Sequence, residues 1–334
     1  MMTHEELKRV LEEASKVFIL TDQNVAMYWL PELEHGLHIT GACEIVIKPG
    51  ESQKTLQTAQ RLWKTLMRHG ADRYSMMINF GGGVITDLGG FVASCYQRGI
   101  PFVNVPTTLL GMVDAAIGGK TGVDFGGYKN QIGVFAEPLE VMVSPVFLST
   151  LPDRELLSGL AEMVKYGFIA DSSMLGVDLD NYEQYILRAG RIKREIVAQD
   201  HTDRGKRKIL NFGHTFGHAF ESFSYNTPCP LTHGEAVALG MGCALWISVQ
   251  LCGLPTQVFC DYVPKLKYLL KMAEWQLSEK EVPSMLDALA HDKKNKAGQL
   301  RMVLLTDVGH PVCDVEVMDP MVRQAVAEVL KAIR

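Results

Sequence analysis

No run of about 18 apolar residues, the length a membrane helix needs, occurs in this sequence. The opening Met-Met-Thr-His-Glu-Glu-Leu is polar and helix-forming, with no apolar leader, so neither secretion nor a membrane span is expected. Basic charge is not in excess. The 33 Lys+Arg against 38 Asp+Glu leave a net charge of -5, which argues against nonspecific binding to nucleic acid or to an anionic membrane. An anionic ligand must then be met by cations gathered locally. The 7 cysteines include no CxxC pair, and their odd number leaves at least one unpaired, so they read as reduced thiols of a cytoplasmic protein. Repeats and low-complexity linkers are absent as well. What remains is a chain of 334 residues, longer than one core serves, for which two domains are expected.

Apolar runs at Val17–Leu20, Cys43–Lys48, Ser75–Phe80 and Pro101–Val105 alternate with helical periodicity at Leu56–His69 and about Asp87–Gln97. That alternation predicts a parallel sheet covered by helices, whose ligands bind at the carboxyl ends of the strands. Near residue 150 the pattern changes. Thr150-Leu-Pro-Asp-Arg-Glu155 has the cap, early proline and acids of a helix start, and helical periodicity dominates beyond it, apart from a strand-like Leu300–Leu305. The expected division is an α/β domain over 1–150 and a helical domain over 151–334.

Two glycine-rich stretches fall short of nucleotide motifs. Gly81-Gly-Gly-Val-Ile-Thr-Asp87 has Thr86 where a dinucleotide fingerprint wants a third glycine, and no acid stands about twenty positions on, so a tight turn and a pyrophosphate cradle both stay open. Gly118-Gly-Lys-Thr121 lacks the upstream glycine of a P-loop and follows a helical stretch, which excludes that reading.

The chemistry concentrates in Asn211-Phe-Gly-His-Thr-Phe-Gly-His218. His214 and His218 are four apart, so on a helix they share a face that Phe212, Phe216 and Phe220 can seat in a core. Such a pair reads equally as two ordinary helix residues or as a metal or acid–base site. His233, in Leu231-Thr-His-Gly-Glu235 at the start of an apolar helical run, tips the balance toward a site. Glu162 and Lys165, three apart among apolar neighbours, are either a surface ion pair or a buried ligand with its partner.

Taken in order, the Gly81–Asp87 turn, Arg98-Gly99, Val105-Pro-Thr-Thr-Leu-Leu110, Val113-Asp114, Gly118–Thr121, Lys129-Asn130, Thr150–Glu155, Ser158-Gly-Leu-Ala-Glu-Met-Val-Lys-Tyr-Gly167, Asn211–His218 and His233-Gly-Glu235 resemble the 3-dehydroquinate synthases, of the sugar-phosphate cyclase superfamily. The resemblance covers roughly residues 17 to 310. It implies an N-terminal Rossmann-like NAD-binding domain with a parallel sheet, followed by an all-helical metal-binding domain. It implies a divalent ion, Zn or Co, on Glu162, His214 and His233, and moves His218 from ligand to proton transfer near the substrate phosphate. NAD contacts would fall on Asp22, Asn24, Glu51, Lys54, Gly83, Val84, Ile85, Thr86, Asp87, Thr107, Thr108, Lys120, Lys129, Phe147, Leu148, Ser149 and Thr150. The substrate pocket would take Asp114, Lys120, Asn130, Lys165, Lys193, Arg207, Asn211, His218 and one of Lys293 or Lys294, with Arg98 reaching in from the second subunit of a homodimer. The implied activity is conversion of 3-deoxy-D-arabino-heptulosonate 7-phosphate to 3-dehydroquinate and phosphate, with NAD used and regenerated. An amino-dehydroquinate or valiolone-type cyclase, an NAD-dependent polyol dehydrogenase and a sugar-phosphate sensor rank behind it. Two departures stand out: Thr86 replaces a usual glycine and fits the turn if its hydroxyl caps the helix, and the chain begins at the helix before Val17, without the short extended pair with which members of the family start.

Overall fold

In the computed structural model, residues 4–275, 277, 281–282, 284–286 and 300–334 are described. They divide into two units, Met1–Leu151 and Pro152–Arg334. In the first, β1 (Val17–Asp22), β2 (Cys43–Ile47), β3 (Met76–Gly81) and β4 (Phe102–Pro106) form one parallel sheet in the order β2-β1-β3-β4. β3 and, at the end of that order, β4 are buried along their whole length, as expected of strands covered on both faces. One face is filled by α3 (Leu56–Arg68) and α4 (Gly83–Cys95), whose Leu62, Leu66, Leu88 and Val92 join Phe18, Leu20 and Met77 in a single cluster. Trp63 Nε1 donates to the Val92 carbonyl at 3.0 Å and ties the two helices together. Elsewhere, Phe147 packs edge-on against Phe80 and Trp29.

The unit also contains α1 (His4–Glu13), α2 (Gln23–Leu37) and, after a π-helical turn at Gly111–Ala115, the antiparallel hairpin β5 (Lys120–Phe125) and β6 (Tyr128–Phe135). Lys120 therefore opens a hairpin strand, a context no P-loop has. The helix expected over about Asp87–Gln97 needs correction: it is α4, which begins at Gly83, four residues before Asp87. Gly82 serves as its N-cap without any side-chain hydrogen bond, so the start carries no Ser, Thr or Asp signal to read.

The second unit is helical, with α5 (Asp153–Ile169), α6 (Ile186–Gln199), α7 (His214–Ser224), α8 (His233–Leu251), α9 (Thr256–Leu269) and α10 (Asp319–Ile333). One exception to the all-helical expectation is the hairpin of β7 (Leu300–Asp307) with β8 (His310–Val317), joined to α8 by the Leu305 N–H donating to Ser248 Oγ at 2.9 Å. α8 lies at the centre of the unit, packed by α5, α7, α9, α10 and β7. By length and mean hydropathy, 1.3, it could cross a membrane, a property that counting consecutive apolar residues did not reveal. With 78% of that window buried in the fold, its apolar surface is accounted for as core.

Candidate functional site

The second unit brings Glu162, His214 and His233 together from three helices, with one candidate ligand atom from each within 4.8 Å of the others. Close backbone approach makes this possible. A Cβ at Gly234 would lie 2.1 Å from the Ser158 carbonyl oxygen, so the first turn of α8 rests directly on α5, and the Gly234 N–H donates to Ser158 Oγ at 2.9 Å. Ser158 is one helical turn before Glu162, so this contact sets His233 beside that carboxylate. Between α7 and α8 the approach is closer still: a Cβ at Gly240 would lie 2.0 Å from the carbonyl of Gly213, the left-handed residue (φ 78°) that caps the helix opening at His214. Glu235 locks the start of α8 from the other side. It closes a capping box with Thr232 and accepts both Nε and Nη2 of Arg154 at 2.8 and 2.7 Å.

Glu162 is fully buried, yet neither of its oxygens has a well-formed hydrogen bond among the described residues. Its neighbours are the Nε2 atoms of His214 and His233, each 3.5 Å from Oε1, and the Lys165 ammonium, ion-paired to Oε2. His214 Nδ1 faces the Phe212 carbonyl at 3.2 Å; since that carbonyl can only accept, Nδ1 is the donor, and in the neutral ring Nε2 carries the lone pair. A lone pair opposed to a buried carboxylate oxygen is repulsive unless a cation lies between them. Burial opposes charge on His233, but Glu221 and Glu162 outweigh it and push its pKa up to about 10. The donor set thus attracts positive charge, and as two imidazoles with one carboxylate it fits a divalent ion of the Zn or Co type.

His218 stands outside this set. Spacing alone made it a ligand with His214, but it is exposed, and its ring lies 6.3 Å from that of His233. Arg207 and Lys193 are buried cations, at 2% and 7% exposure. Arg207 sits in the 3-10 turn Lys206–Asn211, held by its own N–H to Asp200 at 3.1 Å and by Nη1 to the His201 carbonyl at 2.9 Å. At three residues per turn, Arg207 and Asn211 do not share a face, as a continuing α-helix would have had them do. Asn211 turns its amide to the Lys208 carbonyl instead. Lys293 and Lys294 lie outside the described residues. Sequence reading also passed over Glu221, 3% exposed on α7, whose Oε2 is 3.5 Å from His233 Nδ1. Its place at i+7 from His214 was the available signal.

In the first unit the nucleotide-site residues of the resemblance cluster at the carboxyl ends of the strands. Asp22 ends β1 and caps α2 through the N–H groups of Asn24 and Val25. The Gly81–Gly83 turn follows β3, packed so closely that a Cβ on Gly82 would meet Thr108 at 3.0 Å and one on Gly83 would meet Ala115 at 3.2 Å. Such a cradle, with a helix N-terminus that no side chain caps, fits a pyrophosphate. Thr86 does not cap it: its hydroxyl donates back to the Gly83 carbonyl at 3.2 Å, inside the helix. Glu51, Lys54, Asp87 and Lys129 meet in one network, with Lys54 Nζ 2.7 Å from Asp87 and 3.6 Å from Glu51, and Lys129 3.4 Å from Glu51. Burial disfavours the Lys54 charge, but Asp87 and Glu51 overcome this and hold its pKa above the usual lysine range. Thr107 is buried just past β4, whereas Lys120 and Asn130 are exposed on the hairpin. Asp114 is in the π-helical turn. Phe147 and Leu148 are buried, Thr150 Oγ1 accepts from Trp29 Nε1, and Ser149 and Thr150 are exposed.

A family model described as the 3-dehydroquinate synthase N-terminal part matches residues 44–158, and one described as the C-terminal part matches 159–295. A 3-dehydroquinate synthase of Parabacteroides distasonis is 38% identical over 328 residues, covering 96% of this chain and 91% of the relative. The chain belongs to the 3-dehydroquinate synthase family. Among solved structures, a 2-deoxy-scyllo-inosose synthase complexed with carbaglucose-6-phosphate, NAD+ and Co2+ is similar at TM-score 0.84 and 25% identity, covering 97% of this chain and 94% of that one. A 2-epi-5-epi-valiolone synthase of Streptomyces hygroscopicus with NAD+ and Zn2+ gives TM-score 0.81 and 27% identity, covering 95% and 91%. The family's membership among sugar-phosphate cyclases is thus visible in its fold as well as in its sequence.

Proposed function

We infer that this chain is a 3-dehydroquinate synthase, turning 3-deoxy-D-arabino-heptulosonate 7-phosphate into 3-dehydroquinate and phosphate with NAD and a divalent ion. The observation that carries the reading is the buried Glu162 carboxylate faced by two imidazole Nε2 atoms, in a chain that aligns with synthases along almost its whole length. Glu162, His214 and His233 would hold the ion, which when bound supplies a Lewis acid for a substrate hydroxyl. The first unit is the nucleotide-binding one: the Gly83–Asp87 turn, Thr107 and Thr108 receive NAD, which supplies a reversible hydride acceptor. Lys54, paired with Asp87 and Glu51, fixes the start of α4 under that turn.

The remaining work belongs to the chain's own residues. The substrate carries a phosphate and a carboxylate, about three negative charges, and a chain of net charge -5 answers them with cations placed one by one. Arg207 and Lys193 grip the carboxylate, their burial strengthening each contact. Lys165, ion-paired to Glu162, orients a substrate hydroxyl. His218, exposed beside His214, moves a proton near the phosphate. Asp114, Lys120, Asn130, Asn211 and one of Lys293 or Lys294 complete the pocket.

The working form is a cytoplasmic homodimer that shares Arg98. Gln97 and Arg98 both hold positive φ, 49° and 71°, ahead of Gly99, a turn that presents an exposed guanidinium with no ion pair among the described residues. Strain of this kind persists where the surroundings use it. Exposed Phe125, Tyr128 and Phe135 on the β5–β6 hairpin offer the apolar surface a second copy would cover. The deciding experiment supplies full-length protein with NAD, zinc and the heptulosonate phosphate, and follows phosphate and NADH together. Phosphate release without net NADH is expected; accumulating NADH would indicate a dehydrogenase, and neither signal would leave a sensor.

A further inference from the structure

Along α7, His214, His218 and Glu221 stand at i, i+4 and i+7, so one stripe of the helix carries a candidate ligand, a second imidazole and a carboxylate. Glu221 is only 3% exposed. A carboxylate at that depth is costly beside an apolar residue of similar size, unless its charge is used. What it faces is the other candidate ligand. Glu221 Oε2 is 3.5 Å from Nδ1 of His233, while Nε2 of the same ring is 3.5 Å from Glu162 Oε1. The imidazole of His233 therefore spans two buried carboxylates, one at each ring nitrogen. His214 is treated differently, its Nδ1 facing the neutral carbonyl of Phe212 at 3.2 Å.

We propose that Glu221 is the positioning residue of the metal centre: its carboxylate holds the Nδ1–H of His233, which fixes the ring's tautomer and aims Nε2 at the ion. The proposal rests on the reading of Glu162, His214 and His233 as ligands. A separation of 3.5 Å is at the long end for a hydrogen bond, and a cation drawing on Nε2 makes Nδ1–H a stronger donor, so the contact tightens when the site is loaded. The carboxylate does a second thing. With both imidazoles neutral, as metal ligands are, Glu162, Glu221 and Lys165 sum to about -1 and a bound dication brings the site to about +1; without Glu221 the loaded site would be more positive by one unit. Glu221 thus raises the affinity for the ion and tempers its pull on the substrate. In the carboxylate–histidine–metal arrangement, loss of the outer carboxylate weakens metal binding about 10- to 100-fold.

The test is a titration of full-length protein with Co2+ against a competing chelator, read by the visible d–d bands, in wild type, Glu221→Gln and Glu221→Asp. Glu221→Gln, close to isosteric, should bind Co2+ about 10- to 100-fold more weakly, with altered bands that report a changed ligand field. Glu221→Asp, which keeps the charge at shorter reach, should recover part of the affinity. A merely structural Glu221 would lower the melting temperature of the metal-free variant and leave affinity and bands alone. Affinity within about twofold of wild type with an unchanged spectrum overturns the proposal. Should Glu221→Gln not fold, the Glu221→Asp spectrum decides in the same way. Wild type that takes up no Co2+ removes the metal reading itself, an outcome distinct from a wild type that binds and a variant that binds equally well.

Discussion

Arg207 is the residue on which, in the proposed function, substrate choice turns. Its guanidinium is buried and held through Nη1 by the His201 carbonyl, and its backbone N–H by the Asp200 carboxylate, an arrangement that suits the proposed grip on a carboxylate. Removing one partner of such a contact costs about 2–5 kcal/mol, or roughly 30- to 4000-fold in kcat/KM. Arg207→Ala should therefore be severely impaired on the heptulosonate phosphate, with metal content and NAD affinity near those of wild type. Sedoheptulose 7-phosphate, which lacks the carboxylate, should be a very poor substrate for wild type; efficient cyclisation of that sugar would favour a different cyclase. At this scale the sequence showed which residue types were present and left their partners open. Spacing paired His214 with His218, because residues four apart on a helix share a face. The fold pairs His214 with His233, because α8 starts against α5.

The elements meet where side chains are missing. A methyl group on Gly234 would overlap the Ser158 backbone, so Gly234→Ala should push α8 away from α5 and carry His233 off Glu162. Overpacking of this kind costs about 1–3 kcal/mol or more, and metal affinity should fall with stability. Denaturant unfolding and metal analysis together check this; wild-type values in both would mean that the helices do not need the contact. The segment before α7 depends on Asp200, whose carboxylate accepts the N–H groups of Gly205 at 2.7 Å, Arg207 at 3.1 Å and Arg204 at 3.2 Å. These bonds, that from Gly205 foremost, hold its pKa below the ordinary 3.8. With a folded pKa lower than the unfolded one, the stabilisation is complete above the unfolded value and is lost as pH falls through the folded value. Between about pH 5 and about pH 2, the melting temperature of wild type should fall more steeply than that of Asp200→Asn. Parallel slopes would show that the carboxylate does not clamp the turn.

For the whole molecule, the question is whether one chain suffices. Arg98, exposed in its left-handed turn, is proposed to serve a neighbouring subunit, whereas Lys165 is buried within its own unit beside Glu162. Inactive Arg98→Ala mixed with inactive Lys165→Ala should regain activity after subunit exchange, because one hybrid site then has both residues. No recovery despite exchange, followed by mass or fluorescence, would show that each chain uses its own Arg98. Some of this organisation was open to sequence reading. Short apolar runs mark strands buried on both faces and period-3.6 patterns mark the buried side of a helix, so β1 to β4, α3 and the parallel sheet were predictable, and a long ordered series of motifs was enough to indicate the family. The rest depends on distances between segments far apart in the chain, which local patterns do not encode. That α4 starts without a side-chain cap, that Thr86 bonds inside its helix and that β8 pairs with β7 are outcomes of packing. So is the candidate metal centre: its three donor groups come from residues 162, 214 and 233, and glycines at 213, 234 and 240 let three helices approach until those atoms lie within 4.8 Å. The sequence determined which chemical groups were available, and only the tertiary structure decided which of them meet, Glu162 with His214 and His233, and Glu221 behind His233, because burial and backbone contact set their distances.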